Sequence, residues 1–306
     1  MPTPKPSRPF GAHQSIAGGY AKAVERAVET GCDCLQIFTR NINQWKTTPI
    51  PPADAAAFRA AVKQAGLRFV VTHDSYLINP ASADTDLRAK SIAGLVEELH
   101  RADTLGIPWV VAHPGAAGDQ PVAKAADRAA RGIAEALRKT AGLRAGILIE
   151  TTAGQGSCLG ARFEEIGGML ATIDAVPGLK RRAAVCLDTC HVFAAGYPLA
   201  PAAALDETLR QFDRAIGLRR LKLIHANDSK REFGSHVDRH EAIGRGKIGR
   251  EAFRLLVTHP KLARIPFILE TPKEGPDGKP DPKQDRSNLA ILRRLNRIKR
   301  CQEPFS

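Results

Sequence analysis

Short apolar runs alternate with longer amphipathic segments along nearly the whole chain. The short runs are typical of buried strands. The longer segments, such as AKAVERAVET and AADRAARGIAEALRK, repeat apolar residues at three- and four-residue spacings that predict helices with one buried face. The predicted strands are residues 9–13, 34–38, 68–72, 109–112, 146–149, 183–187, 221–225 and 266–269, and a last helix lies near 286–299. The pattern therefore predicts eight strand–helix units.

Glycine residues mark the predicted ends of several helices. A glycine just after a helix adopts the left-handed backbone conformation that closes the last turn without a steric penalty. The expected ends are at Gly31, Gly66, Gly106, Gly142 and Gly217. These positions support the alternation of strands and helices.

Strands that alternate with helices in this way predict a parallel sheet. Eight units in 306 residues favour a single closed (β/α)8 TIM barrel, and no G-x-G-x-x-G motif follows an early strand to favour a dinucleotide-binding fold. We expect residues 8–300 to form the barrel, with a flexible, basic, Pro-rich tail at 1–7 and a C-terminal tail at 301–306. Residues 271–285 are rich in proline and glycine and are predicted to form a loop.

The chain has an excess of basic residues, with 45 Lys and Arg against 32 Asp and Glu and a net charge of +13. Such an excess favours a polyanionic partner, although charge alone is equally compatible with a merely soluble basic protein. No apolar segment is long enough for a membrane span, and the start MPTPKPSRPF lacks the apolar region of a signal peptide. We expect no membrane partner and a cytoplasmic location, associated with the nucleoid if the protein binds DNA.

The six cysteines form no recognisable metal or disulfide pattern. Cys32 with Cys34, and Cys186 with Cys190, lack zinc-ribbon spacing. We expect reduced thiols.

From the third predicted strand onward, each strand ends at or is followed by a residue of a type that binds metals. Parallel strands in a barrel present their carboxyl ends to one face, so these side chains should converge around one mouth. Those that follow strands are His73, His113, Glu150, Asp188, His225 and Glu270, and three more lie close behind at His191, Asp238 and His240. His13 ends the first strand, and we expect it to support a ligand rather than to be one.

Five imidazoles and four carboxylates are the kind of donors that suit zinc, with manganese or iron as possible occupants of some positions. Nine donors exceed what one tetrahedral ion uses. With a bridging carboxylate they suffice for two or three ions, which indicates phosphoryl chemistry. Any one such side chain alone is more often a hydrogen-bonded structural group. Their placement at six successive strand ends favours the metal-binding interpretation.

Several motifs also carry a family resemblance that runs over nearly the whole chain. They are GAHQSIAGG, HDSYLIN, HPG, ETTAGQGS, CLDTCHVFAAGY, HANDSKREFGSHVDRH, IGRGKIG and ILET. On these motifs, which are specific in combination, the chain resembles endonuclease IV, the metal-dependent apurinic/apyrimidinic endonuclease (AP endonuclease family 2).

The resemblance implies a role for each of these residues. About three zinc ions would be held by His73, His113 and Glu150, by Glu150 with Asp188, His225 and Glu270, and by His191, Asp238 and His240. Glu150 and Glu270 would be catalytic. Tyr76, Leu77 and Asn43 would contact DNA. The chain departs from the family pattern at Thr151, where Asn is usual, at Asn43, where some bacterial members have Arg, and at Pro80.

The resemblance further implies a zinc-dependent deoxyribonuclease IV of the phage-T4-induced type. Such an enzyme hydrolyses the phosphodiester 5′ to an abasic site in duplex DNA, leaves a 3′-hydroxyl and removes blocking groups from 3′ ends. The implied mechanism uses three metals and a hydroxide bridging the pair that shares Glu150, since metal lowers the pKa of bound water toward ~7. A monomer is expected from the same resemblance.

Two other functions compete with this interpretation. A sugar isomerase or epimerase would use one or two metals in a similar barrel, but it leaves the His191, Asp238 and His240 set and the basic excess unexplained. A non-catalytic DNA-damage binder would use metal only structurally, in a coordinatively closed site.

Overall fold

The structure is a computed structural model that describes residues 8–275 and 278–298. The predicted tails at 1–7 and 301–306 lie outside the described residues, as do residues 299–300 of the predicted barrel segment. The strands are β1 (Phe10–His13), β2 (Cys34–Phe38), β3 (Phe69–His73), β4 (Trp109–Ala112), β5 (Gly146–Glu150), β6 (Ala183–Asp188), β7 (Leu221–His225), β8 (Asp228–Ser229), β9 (His240–Glu241) and β10 (Phe267–Leu269). The α-helices are α1 (Tyr20–Thr30), α2 (Pro52–Gln64), α3 (Thr85–Leu105), α4 (Val122–Lys139), α5 (Phe163–Asp174), α6 (Thr189–Ala194), α7 (Ala202–Ala215), α8 (Gly249–Thr258) and α9 (Pro282–Ile298).

Eight parallel strands close into one barrel, in the order β1, β10, β7, β6, β5, β4, β3, β2. Strand β1 pairs in parallel with both β2 and β10, which completes the cylinder. The predicted (β/α)8 TIM barrel is confirmed. The two remaining strands, β8 and β9, form a short antiparallel pair in the segment after β7, which the hydrophobic pattern does not predict.

The barrel interior changes from apolar to polar over a distance of two residues. Alternate residues of a strand point to the same face. The buried apolar layer consists of Cys34, Val71, Val111, Leu148, Ala184, Cys186, Leu223 and Ile268. Two positions beyond the last of these on each strand stand Gln36, His73, His113, Glu150, Asp188, His225 and Glu270, and β1 contributes His13, two positions after Gly11. We call these eight residues the polar layer.

The larger core lies between the barrel and its helices. Helix α3 is an example: the Asp84 side chain accepts two backbone N–H groups of the first turn, and Gly106 closes the helix at φ 75°. Between them Leu95 and Leu99 are fully buried, and each such leucine contributes roughly 1.5–3 kcal/mol on burial. Within the two described ranges, no helix is both long and apolar enough to cross a lipid bilayer.

Four of the five predicted glycine helix ends are confirmed. Positive φ angles are found at Gly31, Gly66, Gly106 and Gly217. The prediction for Gly142 is wrong, because α4 ends at Lys139 with Thr140 as its C-cap. The Thr140 hydroxyl donates to the Ala136 carbonyl at 2.9 Å at this helix end.

The last helix starts earlier than predicted. Helix α9 begins at Pro282, inside the segment 271–285 that was expected to be a loop. Proline suits the first helical turn because its fixed φ is helical and its missing N–H would have had no partner there. Asp285 in the same turn favours the positive end of the helix dipole.

Gly11→Ala should destabilise the barrel. An added Cβ would collide with the carbonyl oxygen of Cys34 on the neighbouring strand. Relieving this clash requires the β1–β2 pairing to shift, so we expect a loss of roughly 1–3 kcal/mol in the free energy of unfolding, measured by denaturant unfolding. Gly168→Ala is the control, because nothing lies within 4 Å of its added Cβ in α5. Equal stability of the two variants would contradict the prediction.

Candidate metal centre

All nine predicted ligands lie at the carboxyl-terminal mouth of the barrel. The last residues of β3, β5, β6 and β7 are His73, Glu150, Asp188 and His225, and one residue beyond β4 and β10 stand His113 and Glu270. His191 lies on α6, directly after β6. Asp238 and His240 lie in the segment after β7, with His240 at the start of β9.

These side chains form three groups in which the candidate ligand atoms lie within 4.8 Å of one another. They are the first group (His73, His113, Glu150), the second group (Glu150, Asp188, His225, Glu270) and the third group (His191, Asp238, His240). Glu150 belongs to both the first and the second. The division is the one that the family resemblance implies.

Glu150 joins the first two groups through its separate carboxylate oxygens. Its Oε2 lies 3.1 Å from His73 Nε2 and 3.0 Å from His113 Nε2. Its Oε1 lies 2.8 Å from His225 Nδ1. Burial alone would raise the pKa of Glu150, but His225 and His113 outweigh it and hold the pKa well below its ordinary value. The carboxylate is therefore ionised at neutral pH and faces both groups.

The third group contains two histidine nitrogens without hydrogen bonds. His191 Nε2 lies 3.0 Å and His240 Nε2 3.3 Å from oxygens of Asp238. Both nitrogens are buried, yet neither finds a hydrogen-bond partner in the part of the chain that the structure describes. Burial would raise the pKa of Asp238, but the two histidines outweigh it and lower the pKa to about 2. A buried nitrogen left in this way is costly unless an ion completes it.

Hydrogen bonds at the opposite ring nitrogen orient four of the five imidazoles. Backbone carbonyls accept from three of them: His73 Nδ1 bonds Asp74 O at 3.0 Å, His191 Nδ1 bonds Thr151 O at 2.7 Å, and His240 Nδ1 bonds Glu270 O at 3.2 Å. His225 Nε2 instead bonds a side chain, Gln36 Oε1, at 2.7 Å. Each contact assigns the proton to the outer nitrogen and leaves the other lone pair for the group.

The donor set fits a cluster of divalent cations. Among the described residues, every ion pair formed by Glu150, Asp188, Asp238 and Glu270 is with a histidine. Glu150 and Asp188 are fully buried. Without a cation, these carboxylates have only the histidines to offset their negative charge, and buried charge that is poorly compensated is costly. Cations would neutralise the carboxylates and use the free nitrogen lone pairs at once.

Comparison with known proteins agrees with this geometry. A family model described as a xylose isomerase-like TIM barrel matches residues 24–295. A probable endonuclease 4 of Chloroflexus aggregans is 46% identical over 289 residues, which cover 94% of this chain and 98% of that protein. The chain belongs to the endonuclease IV family. The crystal structure of endonuclease IV from Thermus thermophilus matches with a TM-score of 0.80 at 38% identity and covers 95% of this chain and 98% of its own.

More distant structures share only the fold with this endonuclease IV family member. D-psicose 3-epimerase from Clostridium cellulolyticum H10 matches with a TM-score of 0.67 at 15% identity, covering 95% of this chain and 98% of that one. The barrel is therefore common to endonuclease IV and to sugar epimerases.

Two amide side chains lie among the candidate ligands, and the sequence analysis did not identify either of them. Asn227 Nδ2 donates to Asp188 Oδ2 at 2.6 Å, and its Oδ1 accepts the backbone N–H of Glu270 at 2.8 Å. Gln36, fully buried on β2, contacts His225 and Glu270. Gln36 stands two positions after buried Cys34, so the two-residue period of β2 could have revealed it.

His13 occupies a supporting place, beside Gln36 rather than beside a candidate ion. Its Nδ1 lies 3.0 Å from Gln36 Nε2. Burial, with a smaller effect of Lys273, lowers the pKa of His13 to about 3. The ring is therefore neutral at pH 7, and its Nδ1 accepts the amide hydrogen.

Thr151, where the sequence analysis expects a departure from the family pattern, supports two candidate ligands. Its Oγ1 accepts the backbone N–H of Asp188 at 2.9 Å, and its carbonyl accepts from His191 Nδ1. Thr151 is fully buried. Thr151 therefore contacts Asp188 and His191, which belong to the second and third groups.

Asp228 organises the segment that follows His240. Its buried carboxylate accepts four backbone N–H groups, those of Ser229, Gly244, Gly246 and Ile248, at 2.8–3.0 Å. A Cβ at Gly246 would collide with Ser229 O and contact this carboxylate. One side chain thus holds residues 241–249 against the β8–β9 pair that carries His240.

The cysteines near the centre remain thiols. Cys186 Sγ lies near Glu150 and His225, and Cys190 Sγ near Asp188 and His240. Burial raises the pKa of both thiols well above the ordinary value, which disfavours the thiolate that metals bind. The five cysteines in the described ranges form no disulfide with one another.

The three predicted DNA contacts lie on two loops at the mouth. Tyr76 is 65% exposed, although its ring centroid lies 6.2 Å from that of His73 and 6.4 Å from that of His113. Leu77 beside it is half-buried, and Asn43 is exposed in the loop between β2 and α2.

A buried ion pair holds the loop that carries Asn43. Arg40 Nε donates to Glu98 Oε1 of α3 at 2.6 Å. The same guanidinium donates to the carbonyls of Gln44 and Trp45 at 3.0 and 3.2 Å. The backbone at Gln44 and Trp45, which follow Asn43, is thereby fixed to the barrel.

Thr151→Val should reduce stability without removing the His191 contact, which uses a backbone carbonyl. The variant leaves the buried N–H of Asp188 without an acceptor, and such a loss costs about 1–3 kcal/mol. The free energy of unfolding from urea titration measures it. Thr151→Ser retains the hydroxyl and should lose less. The prediction is contradicted if Thr151→Val has the same free energy of unfolding as the wild type while Thr151→Ser has a lower one. The hydrogen bond to Asp188 would then not stabilise the fold.

Proposed function

We propose that the protein is a DNA repair endonuclease that hydrolyses the phosphodiester 5′ to abasic sites in duplex DNA and leaves a 3′-hydroxyl. Removal of blocking groups from 3′ ends is part of the same proposal. Membership of the endonuclease IV family supports it. The observation that carries it is the division of Glu150 between two ligand groups with a third group adjacent. Clustered ions suit phosphodiester hydrolysis because they stabilise both the attacking and the leaving oxygen.

The cofactor in this proposal is zinc, at about three ions per chain, with manganese or iron able to occupy some positions. Five imidazole and four carboxylate donors suit zinc. When bound, the ions supply Lewis-acid charge and a water of lowered pKa.

In this proposal the side chains of the protein hold the ions, orient the ligand groups and exclude water from beneath the site. Glu150 keeps the first and second groups at a fixed separation because one carboxylate serves both. Glu270 Oε2 lies 3.3 Å from His225 Nδ1, so Glu270 completes the second group opposite Glu150. The apolar layer beneath excludes water from below. A phosphodiester can therefore approach only from the mouth.

Exposed basic residues support a DNA partner. Six of them lie in the segment around Asp238 and His240: Lys230, Arg231, Arg239, Arg245, Lys247 and Arg250. Their positive charge would neutralise phosphates next to the third group. One chain supplies all nine ligands, which supports a monomer, and we propose a cytoplasmic enzyme that associates with the nucleoid through DNA.

The alternatives explain less of the site. A sugar epimerase shares the fold, but it gives no reason for the third group or for the basic segment beside it. A non-catalytic damage binder would not need a carboxylate that faces two ligand groups.

Glu150→Gln should abolish incision of a labelled abasic duplex. The amide nitrogen cannot act as a ligand, so one group loses its shared donor. Activity should therefore fall by more than the ~10–100-fold that is typical when a residue hydrogen-bonded to a metal ligand is changed. Duplex affinity should change little, because Glu150 is fully buried.

The control is Glu135→Gln on α4, where Glu135 forms a surface ion pair with Lys139. Strand cleavage should be unchanged in that variant. A sugar-isomerase assay on the same wild-type preparation tests the main alternative. Full incision by Glu150→Gln, or isomerase activity in place of incision, would overturn the proposal.

Tyr76→Ala with Leu77→Ala should impair action within a duplex more than action at a 3′ end. A buried target must leave the stack, at a cost of a few kcal/mol, and an exposed aromatic with an apolar neighbour can fill the space left behind. The measurement compares cleavage of an internal abasic site with processing of a frayed 3′ end. Equal losses on both substrates, with a lower melting temperature, would show that the pair only packs beneath the loop.

A further inference from the structure

The side chain of Gln36 contacts two residues of the second group. Its Oε1 accepts from His225 Nε2 at 2.7 Å, and its Nε2 donates to Glu270 Oε1. The same Nε2 donates its second hydrogen to His13 Nδ1, and the two nitrogens lie 3.0 Å apart. Gln36 is fully buried, so its oxygen and both amide hydrogens are satisfied by protein.

The chemistry of the partners allows only one orientation of this amide. An ionised Glu270 carboxylate accepts hydrogen bonds and cannot donate them. As a candidate metal ligand Glu270 acts as a carboxylate, and Gln36 Nε2 is the amide atom that faces it. The amide nitrogen must therefore face Glu270, which turns the amide oxygen toward His225. His225 then carries a proton on Nε2, and its Nδ1 lies toward the second group, 2.8 Å from Glu150 Oε1.

His225 differs in this respect from three other candidate ligands. His73, His191 and His240 are oriented by backbone carbonyls, which no substitution of a side chain removes. His225 is oriented by a side chain on another strand. We infer that Gln36 is a positioning residue for the second group, which fixes His225 and Glu270 together so that both present ligand atoms to one ion. The inference rests on the metal centre of the proposed function.

Loss of Gln36 should weaken one ion selectively. Residues that hold a ligand from behind typically contribute ~10–100-fold in metal affinity. Among the described residues, the side-chain hydrogen bonds of Gln36 reach His225 and Glu270 of the second group and His13, none of which belongs to the first or third group. We therefore expect one zinc of the cluster to dissociate ~10–100-fold faster in a Gln36→Met variant, with the remaining zinc released at the wild-type rate.

The experiment follows zinc release from the zinc-loaded full-length protein to a chromogenic chelator, with zinc per chain measured by elemental analysis before and after. Gln14→Met is the matched control, because Gln14 is also buried at the mouth but donates to Asp285 at 2.8 Å rather than to a candidate ligand. A second readout is the visible spectrum of the cobalt-substituted protein. It should change in Gln36→Met and not in Gln14→Met, since it reports ligand geometry and not fold stability.

Gln36→Glu provides a second variant if the methionine variant does not fold. Its carboxylate still accepts from His225 but cannot donate to Glu270, so one zinc should again be released faster than in the wild type. Wild-type release in every foldable Gln36 variant would overturn the inference while leaving the proposed activity intact. A wild-type protein that binds no zinc would overturn both, and a zinc-loaded wild type that does not incise abasic DNA would overturn the proposed activity alone.

Discussion

The polar layer across the barrel mouth is the constraint on which the rest of the structure depends. Its members stand two residues beyond an apolar layer on neighbouring strands, so the same backbone pairing that closes the barrel also sets the spacing of the ligands. Among the nine candidate ligands, only His191, Asp238 and His240 come from outside the polar layer. Rigid strands hold donor atoms more precisely than loops do. The barrel therefore acts as the frame of the centre, and each loop adds to a geometry already fixed.

This arrangement concentrates charge where the protein can least solvate it. Glu150 and Asp188 are fully buried, and the neighbouring amides and backbone groups satisfy hydrogen bonds without neutralising them. Such a layer is a poor way to stabilise a fold, since apolar side chains would pack there at lower cost. Its retention is understandable if cations complete it. Stability and activity are then linked, because an ion that binds only the folded chain also stabilises it.

The sequence predicted most of the fold and the convergence of the candidate ligands at one mouth, because both depend on local periodicity and on the barrel rule that strand ends share a face. Strand bounds agree to within a residue at each end, as for β3 at Phe69–His73. Gln36 escaped because it lies inside the apolar run CLQIF, where a polar residue reads as an interruption of the strand rather than as part of the mouth. The β8–β9 pair and the early start of α9 at Pro282 were missed because short pairings and proline-led turns carry little hydrophobic signal.

The carboxylate of Asp228 separates the shape of residues 241–249 from their side chains. Its four contacts are all with backbone N–H groups. The backbone path of this segment therefore does not depend on the side chains of Arg245 and Lys247. Both are exposed. The surface charge beside the third group can therefore change in evolution by single substitutions, at little cost to folding, while His240 stays where it is. Within one family, substrate affinity and salt tolerance could drift while the centre itself is conserved.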